Sequence, residues 1–312
     1  AEPKGQYGQV LAESLREAVR RKTRGDHRFG ILLSGGLDSR SVVASAEKHL
    51  TAFTLGEFEN REVSVARRVA ETAGNPHVFL KRGMDHYPNM VEEAVAIGDG
   101  MQRFDNALVL GNTQEIRERC DVVLDAFGFD ARLKAWWAVE REVSLLGRTF
   151  HIPLLCRFSE AVDADTLERV RSCRHLPAFS HLFRLPNQQI ARDTVMASLE
   201  DVLQACPEGL HPHDCVAYPR ASSFRSIGGY LMVQATRAHM PQRSVVFDND
   251  LLDLSLSIPP ERRARGRVLR QALRLLSPEL ASIPDSNTGL RADLPVWMAW
   301  LLGSSMIALQ DA

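Results

Sequence analysis

Residues Phe29–Leu50, FGILLSGGLDSRSVVASAEKHL, constrain this chain more than any other stretch. Phe29, Ile31, Leu32 and Leu33 form an apolar run too short for a helix, which fits a strand covered on both faces. Ser34, Gly35 and Gly36 interrupt it, because glycine accepts backbone angles that bulkier residues resist. Beyond Asp38 and Ser39, Val42, Val43, Ala46 and Leu50 recur at helical spacing. A strand, a tight glycine loop and a helix N-terminus in that order build an anion site. The unpaired N–H groups of the first turn and the positive end of the helix dipole both face the loop.

The anion such a loop holds is a phosphate. No Lys follows the glycines, so this is not the GxxxxGK[ST] loop. Ser34 and Ser39 place a hydroxyl on each side, and Asp38 is positioned to carry a divalent cation. Mg²⁺ prefers a carboxylate together with phosphate oxygens, so Asp38 reads as half of a magnesium–polyphosphate clamp. Ser-Gly-Gly alone would be no more than a tight turn. The full hexapeptide SGGLDS resembles the pyrophosphate-binding loop of the N-type ATP pyrophosphatases, a group that includes asparagine, β-lactam, argininosuccinate, NAD and GMP synthetases.

Composition adds mainly exclusions. The 312 residues suffice for one large domain or two small ones. With 45% apolar and 25% charged residues the chain has the balance of a globular protein, and its net charge of −1 points to neither a nucleic-acid nor a membrane surface. No apolar run approaches the ~20 residues of a membrane helix, and no secretory signal is visible. Cys120, Cys156, Cys173, Cys206 and Cys215 are scattered without a CxxC pair, which fits reduced thiols and a cytoplasmic location. The chain starts at Ala1 rather than Met, which fits either a removed tag or an upstream portion that is not included.

Along the chain, a leading helix (Val10, Leu11, Leu15, Ala18, Val19) ends in the basic run Arg20–Arg24. After the central unit, Leu50–Leu55 reads as a second strand. Asn60 caps a helix whose buried side is Val63, Ala66, Val69, Ala70 and Ala73. His77–Leu80 is a third strand, Pro88–Ile97 a helix, and Cys120–Leu124 a fourth strand. Alternation at this pace indicates parallel βαβ units with right-handed crossovers. Ligands gather in such sheets where strand order reverses, beyond the strand ends, which places the loops after the first and fourth strands together. From Trp136 onward the pattern turns helical, with Ala161–Val170, Gln188–Ala205, Gly228–His239 and Arg262–Leu276 as candidates.

The loop after the fourth strand, Asp125–Asp130 (DAFGFD), is similar in part to the GEGxDE segment of asparagine synthetases. Farther on, Arg243, Val245–Asp248, Leu251–Ile258, Pro259-Pro260 and Arg267–Arg270 resemble the closing part of the same synthetase domain. Two matches in order, far apart in the chain, identify it as asparagine synthetase-like. The resemblance implies an α/β fold with a parallel doubly wound sheet of the adenine nucleotide alpha hydrolase-like type. Residues 1–135 would form the nucleotide-binding portion, with a helix-rich portion, 136–312, packed on it.

It also implies ATP and Mg²⁺ as cofactors, and a reaction in which a small-molecule carboxylate is adenylated and then attacked by ammonia or an amine. Ser34, Gly35, Gly36, Leu37 and Ser39, with Asp125, Ala126 and Gly128, would hold the pyrophosphate. Leu33 and Leu55 would line the nucleoside pocket, Asp38 and Asp130 would bind the metal, and Arg270 would join them in catalysis. On spacing alone Asp130 is equally a turn or helix-cap aspartate. Nitrogen would come from free ammonia, a substrate amine, or a separate glutaminase, because no Cys-initiated glutaminase half is seen; a homodimer is the other assembly considered.

Several positions depart from the family pattern. Phe127 and Ala131 stand where the family has Glu, and Asn287, in SNTGL (Ser286–Leu290), takes the place of a lysine that stabilises phosphate charge. An amide donates hydrogen bonds but carries no charge, and losing one such preorganised group costs roughly 10²–10³ in rate. Arg265, Arg267, Arg270 or Arg291 would have to replace it, with Arg40 a further phosphate contact. These losses also raise the alternative of an ATP-binding relative without synthetase activity, acting as a partner or regulatory protein. His211, His213, Asp214 and Cys215 look like a metal cluster but lie too close in sequence to favour one tetrahedral ion. Trp297 and Trp300 read as packing residues.

Overall fold

The computed structural model describes residues 6–100, 102–135, 139–145, 148–157, 187–215, 229–294 and 298. Its strands are β1 (Phe29–Leu32), β2 (Leu50–Gly56), β3 (His77–Lys81), β4 (Val122–Asp125), the hairpin strands β5 (Val139–Leu145) and β6 (Arg148–Arg157), and β7 (Gln242–Ser244). Five of them make one sheet in the order β3-β2-β1-β4-β7, with every neighbouring pair parallel. The chain builds outward from β1 in one direction, through β2 and β3, then returns to β1's other side with β4. Strand order therefore reverses between β1 and β4.

The unbroken apolar run of β1 is explained by what covers it. Phe29 and Ile31 face a core shared with Ala52, Val122, Leu124 and the helices α1 (Tyr7–Lys22), α2 (Leu37–Ser45) and α3 (Arg61–Thr72). On the other face Phe53 and Val123 pack with Leu80, Val109, Ile116, Cys120 and Met240. The two-residue period of a strand sends alternate side chains to the two cores. Gly30 belongs to the second face, where a Cβ would stand 2.6 Å from the Phe53 ring and 2.7 Å from Cys120 Sγ. The strand runs close there because it carries no side chain.

Helices α4 (His86–Ile97), α5 (Thr113–Arg119) and α6 (Phe129–Leu133) precede the hairpin, and α7 (Asn187–Gln204), α8 (Gly229–His239), α9 (Asn249–Ser257), α10 (Pro260–Arg263), α11 (Arg267–Leu276) and α12 (Pro278–Ser282) follow it. Asn60 caps α3 as expected, accepting from Val63 N at 3.1 Å. Helix α11 lies on α1 so closely that a Cβ on Gly8 would meet Gln271 Cβ at 2.7 Å. Among the described residues no helix is long and apolar enough to cross a membrane.

The second half differs from its expectation in three places. A hairpin, β5–β6, opens the stretch that the pattern assigned to helix. Its segments, VEREVSL and RTFHIPLLCR, mix β-branched residues with charged ones and leucine, and local antiparallel pairing outweighs the helical reading. The strand that completes the sheet is the polar Gln242–Ser244, while the apolar Val245–Phe247 is a single 3₁₀ turn. The helix expected over Arg262–Leu276 is broken where Arg265 and Gly266 take φ of 56° and 70°, which separates α10 from α11. The helix expected at Ala161–Val170, and Trp297 and Trp300, lie outside the described residues.

A polar tie joins α1 to the start of α9. Arg21, at the end of α1, donates from Nε to Asp248 Oδ2 at 2.7 Å and from Nη2 to Asp248 Oδ1 at 2.5 Å. Asp248 is also the N-cap of α9. The Arg21 guanidinium holds the Asp248 carboxyl below the usual carboxylate range, against the opposing effect of burial. A depressed folded-state pKa means that this stabilisation is complete above the unfolded value and is lost as pH falls through the folded one. Asp248→Ala should cost at least ~1 kcal/mol from the cap alone in urea unfolding. The difference between variant and parent should shrink below pH 4, a window set by the ordinary Asp value of 3.8.

Candidate active site

The loops after β1 and β4 meet at the reversal of strand order, where α/β sheets hold their ligands. In the first, Gly35 turns the chain at φ 68° and Gly36 is the N-cap of α2, so the free N–H groups of that helix face the loop. Positive φ is not the sole reason for glycine here. A Cβ on Gly35 would lie 2.9 Å from Val65 Cγ1 and 3.0 Å from the Ala66 backbone nitrogen of α3. The two serines close over the turn: their hydroxyl oxygens are 3.3 Å apart, and Ser39 Oγ accepts from Ser34 N at 3.3 Å.

The second loop turns at Gly128, with φ 91° and the Val246 side chain packed where a Cβ would stand. It starts α6 and sets Asp130 opposite Asp38. Between the two carboxylates lies Lys134, the C-cap of α6. Its Nζ is 2.7 Å from Asp38 Oδ2 and also ion-pairs with Asp130 Oδ1. Burial pushes the Asp38 carboxyl up to about 7, Lys134 pulls it down and Asp130 pushes it up again. For Lys134 burial is the largest influence and acts downward, but the two carboxylates together outweigh it and raise its pKa. Asp38 Oδ1 is buried and has no hydrogen-bond partner among the described residues. Two carboxylates around one cation, with a third oxygen open, form a hard-oxygen donor set that fits Mg²⁺. Lys134 had no signal in the sequence, because nothing local marks a lysine four residues after an aspartate as part of a site.

A third element comes from the far end of the chain. Asp285 Oδ1 accepts from Asn287 N at 2.9 Å and Thr288 N at 3.0 Å, which folds residues 285–290 into a tight turn. Ser286 Oγ donates to Ser34 O at 2.8 Å, and a Cβ on Gly36 would lie 3.3 Å from Asn287 Nδ2. The segment expected to carry the family's lysine thus sits on the glycine loop, with an amide in place of an ammonium. Arg270 lies beneath this turn, donating to Arg291 O at 3.3 Å; burial lowers its pKa and the nearby Asp285 opposes that. Arg291 itself is paired with Asp293.

Other expected contacts have different roles. Arg40 is not a phosphate ligand. It is 1% exposed and its guanidinium donates to the carbonyls of Gly35, Leu280, Ile283 and Pro284. Asp125 is committed to the sheet: it accepts from Phe127 N, Gln242 Nε2 and Ser244 Oγ at 2.8, 2.6 and 2.7 Å. That demand explains why β7 is polar. The Leu33 and Leu37 side chains are buried in the main core, whereas Leu55 is half-buried and Ala126 packs at the core's margin. Asp214 is bound at 2.5 Å by the fully buried Arg263, and among the described residues no three His, Cys, Asp or Glu side chains could share a metal.

A glycine loop at the switch point of a parallel sheet, rimmed by two carboxylates, defines an α/β nucleotide-binding protein of the ATP pyrophosphatase kind. The chain belongs to the asparagine synthase family, whose model matches residues 10–282. Membership places it among ATP-using, amide-forming synthetases. No curated protein matches the sequence. Among solved structures, the NH3-dependent NAD synthetase from Campylobacter jejuni in complex with the nitrate ion is similar over 70% of this chain and 96% of its own, with 10% identity and a TM-score of 0.32.

The two loop glycines should respond differently to a methyl group. Gly35→Ala combines a left-handed backbone with a clash against α3 and should lower stability by roughly 2–5 kcal/mol in urea unfolding. Gly36 has φ −74° and its nearest neighbour is a side-chain amide at 3.3 Å. Gly36→Ala should unfold within about 1 kcal/mol of the parent.

Proposed function

We propose that this chain adenylates a small-molecule carboxylate with ATP, releasing pyrophosphate, and that ammonia or an amine then displaces AMP to form an amide. The observation that carries the reading is the meeting of three elements at one sheet edge: the SGGLDS loop, the Asp38–Asp130 pair and the 285–290 turn. The N–H groups at the start of α2, with Ser34 and Ser39, would bind the β- and γ-phosphates as they become pyrophosphate. Asp38 and Asp130 would hold Mg²⁺, which when bound screens the polyphosphate charge. Asn287 would donate a hydrogen bond where a cation stands in the family pattern, and Arg270 would add positive charge from beneath the turn.

No enzymic nucleophile is required. Charge develops on pyrophosphate, and fixed donors that face it stabilise the transition state without reorganising. The cytoplasm is the location proposed on the free thiols of Cys120, Cys206 and Cys215.

Exchange of labelled pyrophosphate into ATP, measured with Mg²⁺ and a panel of carboxylates, tests the first half-reaction directly. A carboxylate that supports exchange is expected, and Asp130→Asn should slow it by roughly 10²–10³. ATP binding without exchange under any carboxylate would instead favour a regulatory relative, a reading that Phe127, Ala131 and Asn287 motivate. Failure to bind ATP would overturn both.

A further inference from the structure

Lys134 is not explained by the reading above. Its ammonium occupies the place between Asp38 and Asp130 that a divalent ion would take, and it is seated rather than adventitious. The side chain is 24% exposed, and its stem runs over Gly266, where a Cβ would stand 3.4 Å from Lys134 Cγ and 3.5 Å from Cδ. Its own carbonyl accepts from Arg265 N at 3.0 Å, which fixes the backbone from which the stem leaves. Asp38 lies in the first turn of α2, so the ammonium stands beside the N–H groups that face the loop. Toward Gly36 the turn above the loop presents the neutral amide of Asn287 and, farther off, a carboxylate oxygen of Asp285.

We infer that Lys134 is a polyphosphate-binding residue held in reserve: its ammonium rests on Asp38 and Asp130 in the free protein, and yields them to a divalent ion when it moves onto the phosphates of ATP. The inference rests on the nucleotide reading of this site. It follows from charge and reach. Two carboxylates left facing each other at partial burial repel, so the free protein needs a cation between them. A polyphosphate at the start of α2 brings several negative charges to the same place, and a flexible four-carbon stem lets the ammonium turn toward them without backbone movement.

The consequence is a pair of affinities that move in opposite directions. In Lys134→Met the carboxylates lose their competitor and the phosphates lose a cation. Titration of the ligand-free chain with Mn²⁺, read by the spin-resonance signal of the free ion, should show binding about tenfold tighter than in the parent. Calorimetry with α,β-methylene-ATP and Mg²⁺ should show binding about tenfold weaker, while AMP binding changes less than about twofold. Lys134→Gln, which keeps hydrogen-bonding capacity and drops the charge, should give the same two shifts; Lys134→Arg should give neither.

A merely structural lysine would weaken both ligands or leave both unchanged, and either result overturns the inference. Tighter Mn²⁺ together with equal or tighter nucleotide binding would make Lys134 a simple plug and overturns it as well. If the parent chain binds no α,β-methylene-ATP, the nucleotide reading itself fails, and the phosphate role of Lys134 fails with it. If parent and Lys134→Met bind the nucleotide equally well, only the Lys134 inference fails.

Discussion

One buried guanidinium holds the site together. Arg40, on α2, reaches back to the carbonyl of Gly35 in the glycine loop and outward to Leu280, Ile283 and Pro284, some 240 residues away. A charge at 1% exposure is tolerated only where it is well partnered, and these four carbonyls take the donors of its two terminal nitrogens. Burial lowers the Arg40 pKa to about 10, with Asp285 opposing, so the group stays charged at neutral pH. The same bonds fix where α12 ends, and therefore where the 285–290 turn lands on the loop. Arg40 thus sets the shape of the glycine loop from its inner side.

The remaining charges at the loop follow from that arrangement. Once the turn covers Gly36, the space in front of α2 is bounded by Asp38, Asp130 and the Asn287 amide. Lys134 enters from the β4 side because α6 is short and ends at it, only four residues beyond Asp130. Its ammonium makes a close pair of carboxylates tolerable in the free protein. Asp125 and Asp130 illustrate how neighbouring acids part company: the first is buried among three donors and belongs to the sheet, the second is half-exposed at the rim and paired with the Lys134 ammonium.

What could be seen beforehand depended on the range of the interaction. Strands β1, β2, β3 and β4 announced themselves because a two-faced parallel strand needs an apolar run, and glycine had to follow β1 whatever lay around it. Strand β7 had no such mark. Gln242 and Ser244 are strand residues because Asp125 needs their donors, and nothing near them in sequence contains that need. Hairpin β5–β6 was hidden for the opposite reason, its mixed Val, Glu and Leu content satisfying either period. Arg40 was misread as a phosphate contact because adjacency to the loop resembles access to it. The side chain in fact leaves on the inner side of α2.

The sequence by itself determined the class of the protein: a parallel sheet, a glycine loop at its first strand end and an acid two residues on. These are local matters, settled by backbone freedom at Gly35 and by periodicity within single elements. Tertiary structure alone decided which side chains complete the loop, bringing Ser286 to Ser34, Arg40 to Leu280 and Lys134 to Asp38. Such pairings arise when separate helices dock and their polar groups must find partners out of water. No pattern within one segment records where that docking will place them.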